Sequence, residues 1–266
     1  MCGSVAVADW VFVSPHLDDV ALSCGGAVAK AARTGTPKIV TVFAGEPDAE
    51  VSDFARFQHE RWNLPEDSVV ALRREEDRRA ALALGESVAV EWLDYFDAIY
   101  RDPGYSSDDA LFGPPLACDL RLAEQIYGDL RRYPTSTYVL PLGVGNHVDH
   151  QIVREAGAML LRDGAEVWTY AEIPYALDET SLAVALTSVD HHDPVQIRLD
   201  DDALRRKLDA IEAFESQLPV LFRERGGARD EIEAFARNQG NGEPVELLWR
   251  LRPEPDPLLT KRPFVA

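Results

Sequence analysis

The chain has 266 residues, enough for one large α/β domain or one domain with a small appendage, and its hydrophobic fraction of 46% is ordinary for a globular protein. A formal net charge of −19, with no Lys/Arg cluster beyond short helical faces, argues against nucleic acid and against anionic membrane surfaces as partners. No apolar run approaches a membrane span and no basic region precedes an apolar core at the N-terminus. The odd cysteine set Cys2, Cys24 and Cys118 leaves one thiol unpaired, so a reduced, cytoplasmic protein is expected.

In chain order, Val11-Phe12-Val13-Ser14-Pro15 reads as a buried strand, followed by a helix over 18–33 that Gly35 and Pro37 close. Cys24 lies in that helix beside two glycines and is expected as a small buried residue. Residues 38–43, KIVTVF, form a second strand that delivers Glu46 just past its end. The polar stretch 48–68, with Phe54, Phe57 and Trp62, reads as a helix and a loop over the strand ends. Residues 69–84 form a helix with Ala71, Leu72, Ala80, Ala81 and Leu84 available for burial, stopped by Gly85. A third strand covers 88–92. The region 95–119 has no clear period and reads as a lid or substrate wall. An amphipathic helix over 120–132, a strand over 138–141, a helix over 151–162 and a strand over 167–170 follow. The later elements are a strand over 195–199, a helix over 202–217 and a strand over 246–252. His191-His192-Asp193 reads as a solvated loop. Strands alternating with helices define a Rossmann-like α/β fold, with a mostly parallel sheet, helices on both faces and the long loop over the C-terminal strand edge.

Two strand ends carry chemistry. After Ser14-Pro15 come His16, Asp18 and Asp19, one imidazole and two carboxylates within four residues. A helix N-terminus needs one such carboxylate as a cap, not two and a histidine. After 138–141 and the glycine-rich Leu142-Gly143-Val144-Gly145-Asn146 come His147, Asp149 and His150. Parallel strands place their carboxyl ends on one edge, so the two clusters are expected to meet.

These residues resemble the PIG-L/LmbE-like zinc-dependent N-deacetylases. Pro15-His16-Leu17-Asp18-Asp19-Val20 is similar to that family's first motif, and His147-Val148-Asp149-His150 to its second. Arg73 through Glu76 to Gly85, and Lys207 through Ala210 to Ser216-Gln217, resemble two further helical patterns. The resemblance runs over about 10–218, so the chain reads as a single domain, 1–266, with a C-terminal extension from 219. Leu17 and Val148 stand in place of motif prolines, Val20 in place of a usual glutamate, and Gly145 where some members carry a tyrosine.

The resemblance implies a catalytic zinc, or another divalent metal, held by three protein ligands, and His16, Asp19 and His150 supply such a set. Asp18 is then the general base, His147 the oxyanion stabiliser and proton donor, and Asp149 the carboxylate that orients a histidine. Glu46 and Arg73 are sugar-binding candidates by resemblance. The implied reaction is hydrolysis of the N-acetyl amide of an N-acetylglucosamine-type sugar or glycoconjugate. Two other readings use the same residues. His16, Asp18 and His150 also spell the ligand triad of non-haem iron oxygenases, whose folds are β-rich barrels. A non-catalytic metal-dependent sugar-binding protein is the other, and Asp18, surplus to ligation, argues against it.

Overall fold

A computed structural model describes residues 10–47, 50–66, 68–133, 137–187, 192–222 and 227–252. Seven strands, β1 (Trp10–Ser14), β2 (Lys38–Thr41), β3 (Ala89–Trp92), β4 (Thr137–Pro141), β5 (Glu166–Tyr170), β6 (His192–Arg198) and β7 (Val245–Leu251), pair in the order β3-β2-β1-β4-β5-β7-β6. α1 (Asp19–Ala31) follows β1, and α2 (Asp53–Arg61) and α3 (Val69–Leu84) follow β2. The connection from β3 to β4 carries α4 (Ala98–Arg101), α5 (Asp108–Leu111) and α6 (Leu122–Leu130). α7 (Val148–Arg162) joins β4 to β5, and α8 (Glu179–Thr187) leads to β6. α9 (Asp201–Ile211), α10 (Leu218–Leu221) and α11 (Ala228–Gln239) lie between β6 and β7.

The interior strands are apolar on both faces, as a sheet covered on both sides requires. Alternation along each strand divides the core into two layers. Val11 and Val13 face Val40, Tyr138 and Leu140 under α6 and α7, whereas Phe12, Ile39 and Val139 face α1, α3 and the chain around Phe214. The first five strands are parallel, with β1 paired to β2 on one side and β4 on the other. Strand order therefore reverses between β1 and β4, the crevice where open α/β sheets hold ligands. Both His/Asp clusters start at that crevice.

The structure corrects the sequence reading at several places. The sheet is mostly parallel, as expected, and what the sequence did not show is that β7 runs antiparallel to both β5 and β6. β7, the strand expected over 246–252, is an interior strand of the sheet. His192 and Asp193 belong to β6 rather than to a solvated loop, while His191 lies outside the described residues. β6 is the sheet edge, where Pro194 can sit without costing a ladder hydrogen bond. The helix expected over 202–217 ends at Ile211, and the carboxylate of Glu76 then accepts from Ser216 N (2.8 Å) and Ser216 Oγ (2.6 Å). The stretch 95–119 has its own short helices, with Asp97 and Ser107 capping α4 and α5. Cys24 is fully buried, as expected.

Candidate active site

The turn from β1 into α1 is tied by its own polar groups. Ser14 Oγ donates to His16 O (2.6 Å) and accepts from Val20 N (3.2 Å). His16 N donates to Asp19 Oδ2 (2.8 Å), which folds the Asp19 side chain back towards the imidazole. Asp18 occupies the N-cap position of α1 but its side chain caps nothing. That carboxylate is buried and faces a cavity instead.

The second arm, from β4 into α7, turns through left-handed backbone at Gly143 (φ +95°), Gly145 (φ +82°) and Asn146 (φ +64°). Glu172, just past β5, accepts from Gly143 N (2.8 Å) and Val144 N (3.1 Å) and so fixes the turn. His147 caps α7, its Nδ1 accepting from Asp149 N (3.3 Å). With Nδ1 committed as an acceptor, the proton of the neutral ring is on Nε2.

The two arms meet in a triangle of donor atoms. His16 Nδ1 lies 3.4 Å from Asp19 Oδ2, His150 Nε2 lies 3.3 Å from the same oxygen, and the two nitrogens are 3.4 Å apart. Ligands about 2.1 Å from a tetrahedral ion stand roughly 3.4 Å from one another, so the spacing fits one divalent cation. The outward nitrogens are both held by carboxylates: His16 Nε2 on Asp149 Oδ2 (3.0 Å) and His150 Nδ1 on Glu172 Oε1 (3.0 Å). A protonated outward nitrogen leaves the inward lone pair free, the arrangement that metal-binding histidines use. His147 offers a third nitrogen within 4.8 Å of His16 and His150, and its ring stands edge-on to His16.

Asp149 is itself anchored. Arg101 Nη1 reaches its Oδ1 at 2.6 Å, and the same guanidinium grips Asp119 through Nε (2.9 Å) and Nη2 (3.0 Å). Tyr105 also hydrogen-bonds Asp119, and Ala98 N donates to Asp149 Oδ2 (3.1 Å). The segment 95–119 is thus pinned to the carboxylate behind His16 and forms a wall. Sequence reasoning missed Arg101, which sits in a stretch without period, and Glu172, which follows a strand end outside both His/Asp clusters.

Burial, reinforced by Asp19, pushes the Asp18 carboxyl up to about 6. Burial next to His16 lowers the His147 imidazole to about 3, so it is neutral in ordinary buffers. Burial opposes charge on Asp149, yet Arg101 and His16 hold its carboxyl well below the usual range. Burial likewise opposes charge on His150, but Asp19 and Glu172 outweigh it and push the pKa up to about 9.

These groups open onto a cavity of ≈ 330 Å³. Its polar wall includes Asp18, Asp97, Gln58, Arg61, Arg73 and Gln217, and its apolar wall Leu22, Ile173, Val220 and Leu221. The Arg73 guanidinium lies 4.7 Å from the Trp62 ring and 4.0 Å from Asp18 Oδ1, with its Nε buried and without a hydrogen-bond partner among the described residues. Glu46 is exposed and is not part of the cavity lining, because the chain turns away where Gly45 N donates to Tyr95 O (2.9 Å). The space over Gly145 is filled by Tyr175: a Cβ at Gly145 would lie 2.5 Å from its ring. Tyr175 lines the cavity and packs edge-on against Phe112 and His150.

Two histidines and an aspartate at a sheet crevice, with a spare carboxylate and a neutral histidine on the same cavity, define an α/β protein with the layout of a metal-assisted hydrolase. The chain belongs to the PIG-L family, described as GlcNAc-PI de-N-acetylase, which it matches over residues 11–161. It is 30% identical to 2'-N-acetylparomamine deacetylase of Niallia circulans over 92% of this chain and 96% of that one. Among solved structures it resembles the zinc-inhibited form of a teicoplanin deacetylase, with a TM-score of 0.79 at 25% identity over 92% of this chain and 99% of that one. It also resembles the A40926 pseudoaglycone deacetylase, with a TM-score of 0.73 at 25% identity over 91% and 96% of the two chains. No described helix is long and apolar enough to cross a membrane.

Proposed function

We propose that this chain is a metal-dependent hydrolase that removes the N-acetyl group of an amino sugar or glycoconjugate. The observation that carries the reading is the donor triangle of His16, Asp19 and His150, with the Asp18 carboxylate and His147 on the same cavity. The named relatives, deacetylases of 2'-N-acetylparomamine, of teicoplanin and of the A40926 pseudoaglycone, support an amino-sugar amide as the substrate. The cavity volume suits one sugar ring with its N-acetyl group, the remainder of a glycoconjugate lying outside.

His16, Asp19 and His150 would hold the metal. The donor set suits Zn²⁺ or another divalent cation, which supplies Lewis-acid chemistry by polarising the amide carbonyl and acidifying water. Asp18, with its pKa raised to about 6, takes the proton of the attacking water and is mostly ionised at neutral pH. His147, neutral, presents Nε2–H to the oxygen of the tetrahedral species as a hydrogen-bond donor, and the proton that Asp18 has taken from the water passes to the departing amine. Asp149 and Glu172 keep the two ligand histidines in the tautomers that expose the inward nitrogens. Arg73 and Asp97 face the sugar ring, and Trp62 keeps the guanidinium of Arg73 in place.

The test is release of acetate and free amine from a panel of N-acetyl amino sugars and N-acetylated aminoglycosides, with and without oxygen and with Zn²⁺, Co²⁺ or Mn²⁺ added back after chelation. Acetate release should need the metal and not oxygen. Asp18→Asn should keep its metal and lose about 10²–10⁴-fold in the chemical step. Wild-type protein that releases no acetate from any N-acetyl sugar when metal-loaded would refute the reading.

A further inference from the structure

Helix α1 is broken in its middle. Cys24 has φ −133° and ψ 24°, so the turn that starts at Asp19 and the turns that follow Gly25 are two helical pieces. Such a break leaves the carbonyls of the first piece and the N–H groups of the second without their usual partners. Here both sets are met from the far end of the chain. Lys207 Nζ on α9 donates to Ser23 O (3.1 Å). Glu246 on β7 accepts from Gly26 N (2.9 Å) and Ala27 N (2.7 Å), and the two side chains join at 2.6 Å, Lys207 Nζ to Glu246 Oε1. Each charge has the sign that suits its helix end, cation on carbonyl and anion on N–H. Gly26 permits the approach: a Cβ there would stand 3.0 Å from Glu246 Oε1 and 2.6 Å from Leu199.

Lys207 and Glu246 are 1% and 4% exposed on their side chains. A buried ion pair is poor at adding stability, since apolar replacements of similar volume often do as well. Its location therefore matters more than its energy. The first piece of α1 carries Asp19, one turn before Ser23. Ser23 Oγ accepts from Ile173 N (3.1 Å), and the preceding residue, Glu172, holds His150. Ser23 thus joins three things at once: the helical turn of Asp19, the segment that orients His150, and the ion pair.

We propose that Lys207 and Glu246 are positioning residues for the metal centre: they splint the break in α1 so that Asp19 and His150 are held at ligand spacing before any cation arrives. This rests on the metal reading of the triangle. It also assigns work to the last third of the chain, beyond the stretch 11–161 over which the family match runs.

The experiment uses full-length protein and the metal alone. The Zn²⁺ dissociation constant is measured by competition with a chromogenic chelator, the visible spectrum of the Co²⁺-loaded protein is recorded, and urea unfolding is followed without metal. Lys207→Met/Glu246→Gln should weaken Zn²⁺ binding ten- to hundredfold and alter the Co²⁺ spectrum, the scale found when groups that orient ligands are removed. The metal-free unfolding midpoint should move far less than the affinity does. Glu246→Gln alone, which breaks the ion pair while keeping the side chain's shape, should weaken binding several-fold and decides the matter should the double variant not fold. Unchanged affinity and spectrum in either folded variant overturns the proposal while leaving the metal reading intact. Wild-type protein that binds neither ion overturns both.

Discussion

Replacing Arg101 by methionine removes the one cation that two buried carboxylates share. The guanidinium makes contacts of 2.6, 2.9 and 3.0 Å to Asp149 and Asp119, whose side chains are 0% and 1% exposed. It also packs at 4.8 Å over the Phe43 ring and 5.5 Å from the Tyr105 ring. Removing one partner of a buried pair costs about 3–5 kcal/mol, and the lost cation–π contacts add about 1. Protonation of a stranded carboxyl returns part of this, leaving about 4 kcal/mol. For a chain of this size that is a fall in Tm of roughly 8–16 °C. The assay is thermal unfolding of metal-free wild type and Arg101→Met across pH. Arg101 holds the Asp149 carboxyl below its ordinary range, so that stabilisation is present above the unfolded pKa of about 3.9 and is lost as pH falls through the folded value. The gap between the proteins should therefore be widest near neutrality and narrow below about pH 4. Equal Tm values at neutral pH, or a gap that does not shrink in acid, would refute the anchoring role given to Arg101.

Further outcomes are expected at His150 and at the segment 95–119. Since His150 is pushed up to about 9 in the metal-free protein, it is protonated at neutral pH and loading the site must displace its proton. An indicator dye in weak buffer should register proton release on Zn²⁺ addition, affinity should climb as pH rises towards that value, and His150→Ala should purify without stoichiometric metal. Pinning of 95–119 through Arg101, Asp119 and Tyr105 predicts that limited proteolysis spares this segment even in the ligand-free protein. Early cleavage there would favour a lid over a wall.

Much of this was legible because strand periodicity and strand-end residues are local signals. The run Val11-Phe12-Val13 announces a doubly covered strand, and His16, Asp18 and Asp19 follow it without a gap. What could not be read is pairing that depends on the assembled sheet. The antiparallel entry of β7 between β5 and β6 is set by tertiary packing, and Pro194 disguised the first residues of β6 because proline is tolerated only at an edge. Arg101 and Glu172 escaped notice for a related reason. Each acts on a histidine more than twenty residues away or on that histidine's carboxylate, and neither stands in a patterned segment. The helix read over 202–217 stops at Ile211, and the residues beyond it are held by a distant side chain, Glu76, at Ser216.

Gly145 and Tyr175 cannot both carry bulk, because the ring of one occupies the place of the other's Cβ. The wall of the cavity at this point could be furnished from either of two places in the chain. A ring arriving from 145 would ride on the loop that sets His147. The ring arriving from 175 rides on the segment that carries Glu172, the support of His150. In this chain the shape of the pocket is mechanically linked to a ligand's carboxylate and uncoupled from His147. Reshaping the pocket for a bulkier sugar would therefore start by trimming Tyr175, and bulk returned at 145 would have to be tolerated by a backbone at φ +82°. Bulk can be added at 145 only where Tyr175 has first been trimmed.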